Sequence, residues 1–417
     1  MRRDFQRRDP NAVWLVILCG CAISALAFGP RAIMGLFLEP MTEARGWSVS
    51  AFALAIAVQN LVWGAASPFT GRAADRYGAF PVFVTGGLVY ALGLGLMVVS
   101  TEAWHLQIAA GVLIGLGIAG SAFGLVLTAF ARLIPSQHRS VAFGLGTAAG
   151  SFGQFLFAPL GGVLIAALGW QGALWVLTAM TLAIPLLATA LTGDQVSETS
   201  GVQPAPALPA GQALALAFGH RSYVLLTLGF FVCGFHVAFI TVYLPPYVNE
   251  LGLPGVTLPG GLTVALGAFA ISLIGLFNVI GAYSSGLLSA RRPKQGLLSA
   301  IYFGRAIVIA AFVLSPPSVP GVLLFSALMG LLWLSTVPPT AGLVAAMFGP
   351  RNMGLLYGVV FFSHQVGSFI GIALGGALYD ATGSYDGMWW AGVVLGVAAG
   401  LVHLPIRDRA VPLPAAA

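Results

Sequence analysis

Arg31 and Arg305 put permanent cations inside apolar stretches, Leu15 to Leu38 and Leu297 to Leu314, each long enough to cross a bilayer. A guanidinium at membrane depth costs several kcal/mol unless it faces protein, water or an anion, so such an arginine marks a functional site by default. The chemistry it offers is recognition of a carboxylate, whose two oxygens match two parallel N–H groups. Two histidines in similar surroundings, His364 within Phe362-Ser363-His364-Gln365 and His236 within Cys233-Gly234-Phe235-His236, add imidazoles that can donate to an anion. Imidazole also changes protonation in the physiological range, which makes His364 first, and His236 second, the candidates to carry a coupling proton. Gln365 and Asn278 complete the candidate polar lining, and Arg305 is open between a substrate role and an inward-packed structural one.

Each of these residues has a plainer reading. Arg31 could snorkel to the headgroups, although the apolar run Ala32 to Leu38 follows it. A neutral histidine could bond a neighbouring helix, and Asn278, Gln59, Asn60, Gln154 and Trp333 could serve as interhelical contacts. For Arg31 the local sequence favours function. It lies about seven residues past the middle of its stretch, roughly 10 Å toward one face. Phe28-Gly29-Pro30 just before it is expected to interrupt the helix, because proline removes a backbone donor and restricts its neighbour.

Composition names the solvent. The chain is 58% hydrophobic and 7% charged, with a mean hydropathy of +0.94, far from the quarter-charged make-up of soluble domains. Twelve apolar segments can each hold a helix across a hydrocarbon core about 30 Å thick. They fall at 13–38, 51–70, 81–100, 105–131, 140–168, 171–191, 222–248, 261–288, 296–315, 320–347, 354–379 and 387–405. The expected fold class is thus an all-α membrane protein, with no strands and therefore no strand-borne nucleotide fingerprint. With both termini cytoplasmic, every basic residue outside the segments except Arg45 falls on the inner side. The net charge of +6 is that topological bias and not a nucleic-acid footprint. The opening MRRDFQRRDPN reads as a retained cytoplasmic lead, and the expected location is the plasma (inner) membrane. Cys19, Cys21 and Cys233 all lie within segments, where small apolar roles are expected and neither a disulfide nor a metal cluster is. No cofactor is expected.

The polar, proline-bearing stretch from Thr192 to Ala210 divides six segments from six, giving an N-terminal bundle at 1–191, a cytoplasmic linker at 192–220 and a C-terminal bundle at 221–417. The halves are related. Phe143-Gly144, Gly153-Gln154-Phe155 and Leu160-Gly161-Gly162 recur as Tyr357-Gly358, Gly367-Ser368-Phe369 and Leu374-Gly375-Gly376, always 214 residues on. A looser echo joins Gly35 to Pro40 in span one with Thr241 to Pro246 in span seven, and it sets His236 one place from the partner of Arg31. Two like-oriented six-helix bundles imply a pseudo-two-fold axis along the membrane normal, with a substrate path between them.

The loop after span two, Gly71-Arg72-Ala73-Ala74-Asp75-Arg76-Tyr77-Gly78, resembles the GxxxDRxG motif of the major facilitator superfamily. Ala79 and Phe80 stand where that motif ends in basic residues, and Ala290 replaces the acid in the equivalent loop of the second half. The resemblance implies that Asp75 and Arg76 gate the cytoplasmic side, with Glu39 shaping the outer gate. Within the superfamily the chain is most similar to the monocarboxylate and oxalate/formate exchanger branch, through Gly35-Leu36-Phe37, Pro40-Met41, Gly46-Trp47 and Tyr357-Gly358. That branch often carries cations on spans eight and eleven. Here Ala282 stands near the first position and His364 at the second, so Arg31 is the expected replacement cation.

The function these features imply is secondary active transport of a small organic anion, a monocarboxylate, by proton symport or anion exchange with alternating access. A monomer suffices for this architecture, and no ATP site supplies energy. The absence of acidic residues deep in the segments argues against a cation substrate. The other reading is a drug or amphiphile efflux pump of the same fold. An enzyme is the more distant one, because no catalytic constellation is present.

Overall fold

The computed structural model describes residues 10–134, 136–192, 209–257, 261 and 263–411. Eleven helices among them are long and apolar enough to cross a membrane. One of these, Gly144–Leu191, runs for 48 residues. At 1.5 Å per residue that is more than twice a hydrocarbon core, so it is two spans and not one. Gly169, at φ 70° and ψ 171°, makes the bend between spans five and six in a conformation that a side chain would oppose. Gly349, at φ 75°, does the same between spans ten and eleven. Twelve crossings result.

Span one is a helix Pro10–Ala32, a 3-10 turn Met34–Phe37 and a short helix Leu38–Arg45. The interruption expected at Phe28-Gly29-Pro30 is not there: the first helix passes through Pro30 and ends two residues later, leaving Arg31 in its last turn. Span two is Val49–Tyr77 and span three Ala79–Val99. Span four begins at Ala103, includes a π-helical stretch Gln107–Leu113, and breaks at Gly120 before resuming as Phe123–Leu133. Span seven is Arg221–Glu250, eight Leu266–Arg291, nine Lys294–Leu314 and twelve Asp386–His403. Span ten, Val319–Leu332, stops and restarts at Val337 in the helix that continues through span eleven to Thr382.

Two expectations need correction. The chain is not strand-free, since Val256–Thr257 pairs antiparallel with Thr263–Val264 just before span eight. The stretch read as linker contains a helix, Ala210–Phe218, whose Ala213 and Ala217 are buried. Residues 193–208 of that stretch, and the cationic lead at 1–9, lie outside the described residues.

Leu88, Leu92, Trp175, Leu186, Ile307 and Val394 all stand exposed. A surface this apolar needs lipid, not water.

The internal repeat is a repeat of packing duties. Span one lies along span five as span seven lies along span eleven, and across the two bundles span two meets span eleven as span eight meets span five. Gly153 rests on Ala25 of span one, and its repeat partner Gly367 on Phe231 and Phe235 of span seven. Gly161 faces Ile33, and Gly375 faces Tyr243. The third pair turns outward to the other bundle, Gly162 to Ala268 and Gly376 to Ala53 and Ser50. Small residues let these backbones approach, which is why glycine recurs at matching places.

The bundles meet unevenly along their length. At the end away from the termini, Gly35 sits on the carbonyls of Thr241 and Val242 and Gly376 on Ser50. At the terminal end, Gly71, Gly78, Gly144, Gly286 and Gly358 have open space around them. Among the described residues, the hydrogen bonds that cross between the bundles close the end away from the termini and reach the middle, and none is found at the terminal end.

Candidate anion site between the bundles

Arg31 occupies the C-terminal turn of the first helix of span one, where the helix dipole favours a cation. Its Nη2 donates to Asn60 Oδ1 at 2.7 Å. Asn60 is held for this by its own Nδ2, which donates to the Ile56 carbonyl at 2.8 Å and so turns the oxygen toward the guanidinium. The guanidinium carbon lies 4.8 Å from the Trp63 ring centre and 5.6 Å from that of Phe28. Asn60 and Trp63 are three residues apart on span two, hence on one helix face. From span three, Tyr90 donates its hydroxyl to the Ala27 carbonyl at 3.3 Å and steadies the same turn. Arg31 Nε is buried without a hydrogen-bond partner, while the residue as a whole keeps partial exposure. Among the described residues no carboxylate pairs with it.

From Arg31 a line of rings crosses to the other bundle. Trp63 meets Phe361 of span eleven edge to face at 5.3 Å, and Phe361 stacks on His364 at 5.8 Å with 9° between planes. His364 Nδ1 lies 3.1 Å from Gln365 Oε1 and packs on Phe230. Gln365 reaches the close approach of spans two and eleven at Gly64, and its Nε2 is buried without a partner. Ring contacts thus connect Arg31 to His364 through Trp63 and Phe361, and Gln365 touches span two at Gly64. The rings Phe28, Trp63 and Phe361 that join them were not singled out from sequence. The available signal was Trp63 one turn beyond Asn60 in an otherwise apolar span.

His236 goes elsewhere. Its Nε2 lies 2.7 Å from the Gly392 carbonyl of span twelve, the ring abuts Gly396, and the side chain is buried. The looser repeat suggested that it shares a cavity with Arg31; the structure turns it to the back of its own bundle.

Arg305 is also enclosed, at 0% exposure. Its Nη2 and Nε donate to the Leu332 carbonyl at 2.7 and 3.1 Å, and Nη2 also to that of Trp333. These are carbonyls that the break in span ten leaves without helical partners. Asn278 holds the far side of the break by accepting the Leu334 N–H at 3.0 Å, while its Nδ2 donates to Ser151 of span five at 2.8 Å. Asn278 thus links the break to the opposite bundle.

At the closed end, Asn249 of span seven donates to Glu39 at 2.8 Å. The Asp380 carboxylate of span eleven accepts the backbone N–H groups of Val49 and Ser50 at 3.0 and 2.9 Å. At the terminal end, Arg76 is exposed, with its guanidinium over the Tyr77 ring at 5.1 Å. The side chain of Asp75 lies outside those described.

Known proteins match this architecture and this sequence. Residues 19–371 match the family model for the Major Facilitator Superfamily. The chain is 28% identical over 403 residues to monocarboxylate transporter 13 of Rattus norvegicus, covering 94% of this chain and 89% of that protein. It is 26% identical over 417 residues to monocarboxylate transporter 11 of Homo sapiens, covering 96% and 83%. In fold it is similar to a bacterial homolog of the human lysosomal transporter Spinster, with a TM-score of 0.79 at 15% identity, covering 98% of this chain and all of that one. The chain belongs to the Major Facilitator Superfamily and is a multi-pass membrane transporter, not an enzyme.

Proposed function

We propose that the chain moves small organic monocarboxylates by secondary active transport, with alternating access of a site centred on Arg31. The observation that carries this reading is a part-exposed arginine at the bundle interface whose buried Nε–H has no partner and which meets no carboxylate among the described residues. A substrate carboxylate would complete it, with two parallel hydrogen bonds and the charge that the site lacks. The similarity to monocarboxylate transporters points the same way. His364 and Gln365 line the other side, and His364 is the group that carries the coupling proton in a symport cycle. Exchange against a second anion uses the same site without it.

With the termini on the cytoplasmic side of the plasma membrane, the end at which Asp380 and Asn249 join the bundles is external, which supports reading this arrangement as closed to the outside. Glu39 belongs to the outer gate. Asp75 and Arg76 act in the opposite state, when the inner ends come together. One protein chain contains both bundles and suffices.

The test is uptake of labelled pyruvate, lactate and acetate into proteoliposomes, with and without an acid-outside gradient. Saturable uptake that disappears in a correctly inserted Arg31→Ala protein supports the reading, and stimulation by the gradient assigns symport. Efflux of amphiphilic dyes that is indifferent to Arg31→Ala would instead establish the drug-export reading.

A further inference from the structure

Resting on the carboxylate reading of Arg31, we infer that the preferred substrate is a monocarboxylate with an aromatic ring close to its carboxyl group, in place of a short aliphatic acid or a dicarboxylate. The guanidinium is set among rings: Trp63 at 4.8 Å, Phe28 at 5.6 Å, and Phe361 meeting Trp63 edge to face at 5.3 Å from the opposite bundle. Phe28 and Phe361 are only partly buried, so both keep some ring surface exposed. A carboxylate on the guanidinium edge leaves its tail beside these rings. Rings pack on rings edge to face or offset, at centroid separations of about 4.5–7 Å, with a gain beyond simple area burial. An acetate or formate tail reaches none of that surface.

The polar inventory excludes the other small anions. Both ends of the Asn60 amide are in use, one on Arg31 and one on the Ile56 carbonyl. A lactate hydroxyl therefore gains nothing from Asn60, and the unpartnered Gln365 Nε2 is enclosed in the other bundle. A second carboxylate would need a second cation. Arg305 is the other intramembrane arginine, and its side chain is fully buried, with Nε and Nη2 donating to the Leu332 and Trp333 carbonyls and Nη1 enclosed without a partner, so it presents no second cation to the rings. An unpaired charge beside Phe361 is costly. The two requirements, one charge and one flat apolar tail, describe arylacetates.

The experiment compares uptake of labelled phenylacetate and labelled acetate by the full-length protein in proteoliposomes, with malonate as competitor. The expected result is a half-saturating phenylacetate concentration at least tenfold below that of acetate, and no competition by malonate. Trp63→Leu should bring the two monocarboxylates together, and Trp63→Phe, which keeps a ring, should restore most of the gap. Equal half-saturation for the two acids in the wild type, with uptake still abolished by Arg31→Ala, overturns the aromatic preference and leaves the carboxylate site standing. Effective competition by malonate overturns the single-charge argument. Absence of uptake for every carboxylate removes the Arg31 reading and this inference with it. The wild-type ratio decides the matter even where Trp63→Leu fails to insert.

Discussion

The carboxylate of Asp380 caps a helix in the opposite bundle, accepting the N–H groups of Val49 and Ser50 at the start of span two. These are groups that no helix can satisfy internally, and a negative charge there also meets the positive end of the helix dipole. Span two has a cap of its own, because Ser48 Oγ accepts the Ala51 N–H at 3.2 Å. Asp380 therefore adds to a helix start that is already closed, and its distinct contribution is to tie the bundles together at one end.

Removing that tie should favour the state in which this end is open. In a protein whose native cysteines are replaced, spin labels at the exposed Glu43 and Ala381 positions report the gap between bundles. Asp380→Ala should raise the long-distance population about fivefold, the scale of one lost helix cap. Ser48→Ala, which weakens the same helix start from within, should leave the distances where they are. Identical distance distributions for the wild type and Asp380→Ala would remove the latch role.

Arg31→Lys separates charge from geometry. Lysine keeps the cation but loses the planar fork and the stacking against Trp63. Uptake should survive with KM raised about tenfold or more, the scale of losing one charge-assisted hydrogen bond, while Arg31→Ala is inactive. Wild-type KM in the lysine protein would mean that the substrate reads only charge.

His364→Gln tests the proton. Its Nδ1 sits beside Gln365, and no other histidine among the described residues shares the ring line that begins at Arg31. Glutamine keeps a hydrogen-bonding side chain that does not titrate in this range. Stimulation of uptake by an acid-outside gradient should vanish, whereas exchange of labelled for unlabelled substrate at equal pH should persist. Retained stimulation would move the coupling proton to another group.

Much of this was legible in the chain, because membrane architecture writes itself as period and length. Twelve apolar segments and the 214-residue repeat have counterparts in the structure, whereas Gly71 to Tyr77, read as part of a loop, is the end of the span-two helix. Arg31 and His364 stand out in the sequence because each is a polar group in an apolar segment, and the structure links them by ring contacts across the interface. Trp63 and Phe361 do not stand out, because an aromatic residue in an apolar span is indistinguishable from lipid-facing filler until a partner across the interface is known. The same limit explains His236. A position in a weak repeat fixes a helix level to within a residue, and one residue turns a side chain by about 100°. Asp380 was invisible for another reason, since its partners are backbone groups 330 and 331 residues away.

Arg305 poses the sharpest choice between a structural and a substrate role, and the two predict different measurements. Its donors cover the Leu332 and Trp333 carbonyls at the break in span ten, and Asn278 holds the next N–H. Arg305→Met removes those donors and leaves buried carbonyls unpaired, at a cost of about 1–3 kcal/mol for each group so exposed. The purified protein should then melt several degrees lower in detergent, and Arg305→Lys, which can still donate, should recover part of the loss. A substrate role predicts the reverse pattern: unchanged melting with KM raised in both variants. A methionine protein with wild-type melting would show that the break in span ten does not depend on the guanidinium. Because Asn278 also bonds Ser151 of the opposite bundle, a destabilised break should slow transport as well as weaken the fold. Asn278→Leu should share that slowing, with substrate KM little changed, since the residue acts on the break and not on the carboxylate.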